Sequence, residues 1–416
     1  MLVKQVLRQT TIISTLLPLV MLMGCASNLA ENTASVAAAP LHTRMLTLDT
    51  HLDTPVHFSR AGWSFGDRHD YATDLVQVDI PRMADGNLDG GFFVIFTDQG
   101  LLTAEGYAAA LKFALGRSDE IDTVINRFSD KIRPATQSTD AVSLGGQNKL
   151  FAFKSMENSY PLGENLENLE KFYSRGVRLA GPVHSRNNQF ADSATDKPQW
   201  NGLSPLGKNW VTEMNRLGIV IDPSHASDAA FDEMLLLSKT PLLLSHSGAK
   251  KAFDHPRNLD DARIRKLAAA GGAICYTSVY LSALTSDAER MAVFGESDKL
   301  GEMTPAEQTA LAIRTRKLDA TQPLWTASFD DFMAGLLHTI AVAGVDHVCF
   351  GADWDGGGGI TGFKDITDHP KITAELKAKG FSDADIAKMW SGNVLRIMRE
   401  AEEYAAKLKR HYQLKH

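Results

Sequence analysis

The chain has 416 residues, 44% hydrophobic and 22% charged, which is ordinary for a globular protein able to bury a large core. At that length it accommodates one large domain or two ordinary ones. With a formal charge of −7 and no basic run interleaved with aromatics, nucleic-acid binding has no support.

Residues 1–25 read as a targeting segment. Lys4 and Arg8 precede the apolar run Thr11–Met23, which Pro18 interrupts and which is too short for an ordinary membrane-spanning helix. The run ends in Leu22-Met23-Gly24-Cys25, which resembles a bacterial lipobox, with Cys25 as the lipidated residue after cleavage. Ala26 follows instead of Asp, so the expectation is an anchor on the periplasmic face of the outer membrane, with the lipid as the only membrane contact. The alternative is a plain secretory signal cut near Val36–Ala39, giving a soluble periplasmic or secreted protein. Without Lys4 and Arg8 the formal charge becomes about −9. Residues 26–43 read as a small, polar tether, 44–405 as the folded domain and 406–416 as a basic tail.

Within the domain, apolar strand-like runs alternate with helical patterns. The strands are expected at Met45–Asp53, Gly90–Thr97, Lys149–Glu157, Val177–His184, Gly218–His225, Pro241–His246, Gly272–Val279 and Val345–Asp353. Ser204-Pro205 opens a helix that Gly218 closes, and Ser328–Asp331 and Ser382–Asp385 have the spacing of capping boxes. Another helix ends on Gly271-Gly272. An insertion at 281–323 carries its own helix start at Thr304-Pro305-Ala306-Glu307. Eight strands alternating with helices predict an α/β fold, a (β/α)8 barrel of the TIM type with its site at the C-terminal ends of the strands. Cys275 and Cys349 fall in apolar strands and read as buried free thiols, a disulfide being open if those strands are neighbours.

Six of the eight strands end on a residue able to bind metal or move protons: Asp53 with His51, Glu157, His184, His225, His246 and Asp353. His51 and Asp53 are two apart, which on a strand places both on one face. A single His or Asp after an apolar run reads as a terminator or cap. Six on one rim do not, because capping favours Ser, Asn and Asp over His. The set describes a metal-hydrolase rim.

With these residues in view the chain resembles the membrane (renal) dipeptidase family of zinc metallopeptidases over residues 46–400, the insertion aside. The resemblance rests on Asp49-Thr-His-Leu-Asp-Thr-Pro55, Val78-Asp-Ile-Pro-Arg82 with Gly90-Gly-Phe-Phe93, and Asn215-Arg-Leu-Gly218 with Ile221-Asp-Pro-Ser-His225. Ser245-His-Ser247, Asp254-His-Pro-Arg-Asn258 and Gly351-Ala-Asp-Trp-Asp-Gly356 follow in the same order. It implies two Zn2+ per chain, one on His51 and Asp53, the other on His225 and His246, with Glu157 bridging. It also implies that His184 contacts substrate and oxyanion, that Arg257 binds the substrate's terminal carboxylate and that Asp353 handles the proton. Ser155-Met-Glu-Asn-Ser159 departs from the family's Glu-Gly context. An aromatic that helps recognise the carboxylate is either Tyr276 or Tyr280.

The assignment also makes chemical sense. Two cations about 3.5–4 Å apart can share a carboxylate and a bridging hydroxide, and together they make that nucleophile available near neutral pH. A planar guanidinium suits a free carboxylate. The expected activity is therefore hydrolysis of dipeptides with a free C-terminal carboxylate through a metal-bridging hydroxide, with tolerance of a D-residue there implied by the resemblance. Alternatives are a two-metal amidohydrolase acting on N-acyl amino acids or β-lactams, and an inert lipid-anchored binding protein. Arg257 could instead pair with Asp254 or Asp260, and Asp353 could be a third carboxylate ligand. Asp222 and Asp355 are read as lying off the site face; His57, His69, His255, His338, His347 and His369 match no rim position. A homodimer is compatible with the sequence, which does not decide it.

Overall fold

The computed structural model describes residues 41–297 and 299–413. The leader, Cys25 and the tether up to residue 40 lie outside them. Among the described residues nine strands, all paired in parallel, alternate with helices: β1 Leu48–Leu52, β2 Gly90–Phe96, β3 Ile132–Pro134, β4 Leu150–Glu157, β5 Val177–Ala180, β6 Val220–Ile221, β7 Leu243–Ser247, β8 Ala273–Tyr276 and β9 Val348–Phe350. One sheet runs β1-β2-β4-β5-β6 and the other β7-β8-β9. The short β3, which sequence patterning misses, lies against the first residues of β4, while β5 pairs with the last ones.

The two sheets close into a ring at two seams. Leu52 bridges Trp354, and Asp53 donates its backbone N–H to Trp354 O at 2.9 Å, which joins β1 to the end of β9. Between β6 and β7 a side chain serves: Asp222 Oδ1 accepts from Ser245 N at 3.0 Å. The eight expected strands are therefore β1, β2 and β4–β9 of a (β/α)8 barrel.

Several runs leave the ladder earlier than expected. β5 stops at Ala180 and β6 at Ile221, because Pro182 and Pro223 follow and a proline has no N–H to give a neighbouring strand. β9 stops at Phe350, and Asp353 is left-handed at φ 66. His184, His225 and Asp353 thus stand on short loops just above their strands.

Leu48, Phe92, Phe153, Leu179, Val220, Leu243, Cys275 and Cys349 form one buried cluster. Every one of the eight ring strands contributes, β4 and β8 with a second residue each (Phe151, Ala273), so the cluster lines the barrel's interior. Val394 and Met398 of the last helix join the same cluster. Each such side chain contributes roughly 1.5–3 kcal/mol by leaving water. Cys275 and Cys349 are register partners on β8 and β9 and are joined by a disulfide, which corrects the free-thiol expectation. Lys154, a charge in the midst of β4, points outward to the helix Ala104–Arg127, where Asp122 (2.7 Å) and Ser118 receive it.

The helix boundaries follow the caps. Ser204 accepts from Gly207 N, and Gly218 ends the helix Pro205–Leu217 at φ 77, a left-handed angle that costs glycine nothing. Thr304 and Ser328 make reciprocal capping boxes with Glu307 and Asp331, and Ser382 accepts from Asp385 N. Leu41 and His42 are already buried, so the packed domain begins before the expected end of the tether. The final helix, Asn393–Gln413, extends through most of the segment read as a tail. No helix among the described residues is long and apolar enough to cross a membrane.

Candidate metal centre

The seven rim residues named from sequence converge on one point above the barrel. His51, the penultimate residue of β1, places Nε2 at 3.2 Å from Asp53 Oδ2, 3.5 Å from Glu157 Oε2 and 3.8 Å from Asp353 Oδ1. Glu157 ends β4 and divides its oxygens. Oε2 faces His51, while Oε1 faces His225 Nε2 at 2.8 Å, His246 Nε2 at 3.6 Å and His184 Nε2 at 3.8 Å. His225 and His246 bring their Nε2 atoms to 2.9 Å of each other. Imidazole nitrogens bound to one tetrahedral Zn2+ at about 2.0–2.1 Å would stand about 3.3 Å apart, so a small outward shift of the two rings would admit the ion. Buried His51 Nε2 and Asp53 Oδ1 have no hydrogen-bond partner, so the donor set fits cations at this place. Three overlapping groups with ligand atoms within 4.8 Å of one another are present: His51, Glu157 and His246; Glu157, His184 and His225; His51, Asp53 and Asp353.

The electrostatics are those of charges crowded out of water. Burial works against the Glu157 carboxylate, but His51, His184 and His225 outweigh it and hold its pKa well below the usual carboxylate value. Burial likewise opposes a charged His51, yet Glu157 and Asp53 lift it well above the ordinary histidine range. Burial, then Arg257, pushes His225 well down, and burial does the same to His246, with His51 and Arg257 adding. Burial, with Asp53 and Glu157 as neighbours, raises Asp353 well above its usual value. Room for these carboxylates depends on Gly356, where a Cβ would collide with both Asp53 and Asp353.

Arg257 lies beside the cluster, 3% exposed, with Nη2 donating to His246 O at 3.3 Å. Nε and Nη1 have no partner among the described residues, and no ion pair joins Arg257 to Asp254 or Asp260. Asp260 is occupied by Arg263 at 2.5 Å. Of the two tyrosines, Tyr276 points away, packing on Phe332. Tyr280 belongs to the site: its ring lies 5.8 Å from the Arg257 guanidinium carbon and stacks on His255 at 4.1 Å. Its φ of 53 is uncommon for an aromatic residue, and no sequence period signals it.

The two aspartates set aside in the sequence reading support the site from behind. Asp222 accepts from the Ser224 and Ser245 hydroxyls, and the Ser245 hydroxyl oxygen contacts His246 Nδ1 at 2.8 Å and His51 Nδ1 at 3.2 Å. Asp355 accepts from Thr54 Oγ1 at 2.7 Å and Gln77 N at 2.6 Å. Asn158, in the departing segment, takes a left-handed φ of 69 and donates to Thr97 O at 3.0 Å, tying the loops after β2 and β4 together.

The membrane dipeptidase profile (peptidase family M19) matches residues 36–412. Dipeptidase tcpJ of Claviceps purpurea is 27% identical over 394 residues, spanning 92% of this chain and 83% of that one. Dipeptidase verJ of Clonostachys rogersoniana is also 27% identical, with 92% and 89% covered. Among solved structures, the probable dipeptidase PvdM from Pseudomonas aeruginosa superposes with a TM-score of 0.76 at 29% identity, covering 90% of this chain and all (100%) of that one. A metallopeptidase from Rhodobacter sphaeroides, liganded with a phosphinate mimic of L-Ala-D-Ala, shares the fold at a TM-score of 0.67 and 21% identity, with 86% and 99% covered. With the rim geometry and a match over nearly its whole length, the chain belongs to the membrane dipeptidase family, peptidase family M19, and is a metallo-dipeptidase by family.

Proposed function

We propose that the protein is a two-zinc dipeptidase that cleaves dipeptides with a free C-terminal carboxylate and tolerates a D-residue there. The observation that carries this reading is the division of Glu157, one oxygen toward His51 and the other toward His225 and His246. His51 and Asp53 would hold one ion, and His225 and His246 the other. Bound there, the pair would lower the pKa of a trapped water and polarise the peptide carbonyl.

The remaining residues divide the other tasks. His184 is the most exposed of the rim histidines, its side chain 28% accessible, which suits a group that meets substrate. The Ser185 hydroxyl, 3.1 Å from His184 Nδ1, can donate to it and leave an N–H on Nε2 for the developing oxyanion. Arg257, with two nitrogens unpaired in a buried place, binds the terminal carboxylate, and Tyr280 bounds the same corner. Asp353, whose pKa is raised by burial and by its carboxylate neighbours, takes a proton from the attacking water and passes it to the leaving amine.

A panel of L,L- and L,D-dipeptides, assayed before and after exhaustive chelation, tests the proposal. Activity on both series that disappears with chelator and returns with added zinc is expected. Hydrolysis that persists after the metal is gone would rule out the metal mechanism.

A further inference from the structure

Behind the metal-facing atoms lies a connected polar unit to which the functional reading gives no task. Ser245 on β7 is fully buried. Its hydroxyl oxygen contacts Asp222 Oδ2, His246 Nδ1 at 2.8 Å, His51 Nδ1 at 3.2 Å and, more distantly, Ser224 Oγ at 3.4 Å, whose own proton goes to Asp222 Oδ1. A hydroxyl has one proton and two lone pairs, and a carboxylate only accepts. The proton therefore goes to Asp222, and each lone pair is left to accept a ring N–H. Asp222 is itself held: Oδ1 accepts from Ser224 N and Ser245 N, both at 3.0 Å, and from the Ser224 hydroxyl. His225 stands outside this unit, since its Nδ1 has no partner among the described residues.

We propose that Ser245, backed by Asp222, is a positioning residue that locks His51 and His246 in the Nδ1–H form together, so that a single hydroxyl aims the Nε2 lone pairs of both halves of the metal centre. This rests on the two-metal reading. Groups that hold the far nitrogen of a metal-binding histidine are generally worth 10–100-fold in metal affinity. Here one such group serves two rings that belong to different ions.

Asp222→Asn discriminates this idea from mere packing. The backbone N–H groups of Ser224 and Ser245 require the amide oxygen at the Oδ1 position, so the amide nitrogen must face Ser245. The amide then donates to the hydroxyl and occupies one lone pair. One lone pair then remains for two ring N–H groups, so one ring loses its acceptor, whether the displaced hydroxyl proton turns to that ring or to Ser224 Oγ. Ser245→Ala instead removes the acceptor from both rings.

Zinc stoichiometry and affinity, measured on the full chain by competition with a chromophoric chelator, separate the cases. Wild type should hold two tight ions. Asp222→Asn should keep one and bind the other about 10–100-fold more weakly, while Ser245→Ala should weaken both. In the zinc-loaded wild type, 15N spectra of labelled histidine should show His51 and His246 protonated at Nδ1. Two tight ions in Asp222→Asn, or Nδ1 bound to metal in the wild type, would overturn the inference while leaving the two-metal reading intact. A wild type that binds fewer than two ions would overturn that reading, and this inference with it. If Asp222→Asn does not fold, the wild-type spectra decide alone.

Discussion

Arg257 is charged, buried and only partly satisfied, a costly arrangement that is relieved when an anion arrives. Replacing it with alanine should raise KM for free-carboxylate dipeptides by about 10- to 100-fold, the worth of a charge-assisted hydrogen bond to a clamp. The ratio of kcat/KM for a dipeptide over its C-terminal amide should collapse toward one; an unchanged ratio would remove Arg257 from carboxylate recognition. His184→Ala should lower kcat by ~10²–10³ with zinc content unaltered, as expected for loss of an oxyanion donor. Loss of zinc in that variant would make His184 a ligand. The ligand-type residues were readable because each follows an apolar run and their number defeats a capping explanation. Tyr280 was not separable from Tyr276, because its left-handed backbone and its stack on His255 depend on contacts no local pattern records. Ser245 and Asp222 escaped for a similar reason: their importance lies in which nitrogen they face.

Among the elements, the existence of the eight ring strands was legible, while the short β3 and the strand ends were not. Apolar runs continue through Gly181-Pro182 and Asp222-Pro223, but the ladder does not, and the residues beyond it gain the freedom to turn inward as loops. The entry segment shows the opposite error. Residues 41–43 lack any periodicity, yet His42 is buried between Gly86 O (3.1 Å) and Thr373 Oγ1 (2.7 Å), partners far away in the chain. Burial pushes the His42 pKa from 6.5 to about 4. Between those values the unfolded chain binds a proton that the folded one refuses. The contribution is thus complete above pH 6.5 and is lost as pH falls toward 4, by roughly 3 kcal/mol. Urea midpoints recorded from pH 7 to 4 should fall more steeply for wild type than for His42→Asn. Parallel slopes would place the acid sensitivity elsewhere. The Trp390 ring, 4.7 Å from His42, offers a local fluorescence probe.

For the molecule as a whole, the alternation of strand and helix sufficed to predict the barrel, whereas its fastenings needed coordinates. The Cys275–Cys349 bond spans 74 residues and lies in the buried cluster inside the barrel. By the loop-closure argument it stabilises the fold by about 4 kcal/mol. Converting both cysteines to serine should lower denaturant stability by about that amount while kcat at 25 °C is maintained; equal unfolding midpoints would show the bond to be idle. The insertion between those cysteines is a further fastening. Gln308 on its second helix accepts from Arg60 at 2.9 and 3.1 Å. Arg60 abuts His57 at 3.3 Å, and His57 in turn reaches Asp355 at 3.3 Å, two residues beyond Asp353. The segment read as an insertion is thus a buttress for the rim. A minimal barrel trimmed of residues 281–323 would therefore lose a brace, and carrying that brace into another barrel would mean transplanting Arg60 and His57 with it.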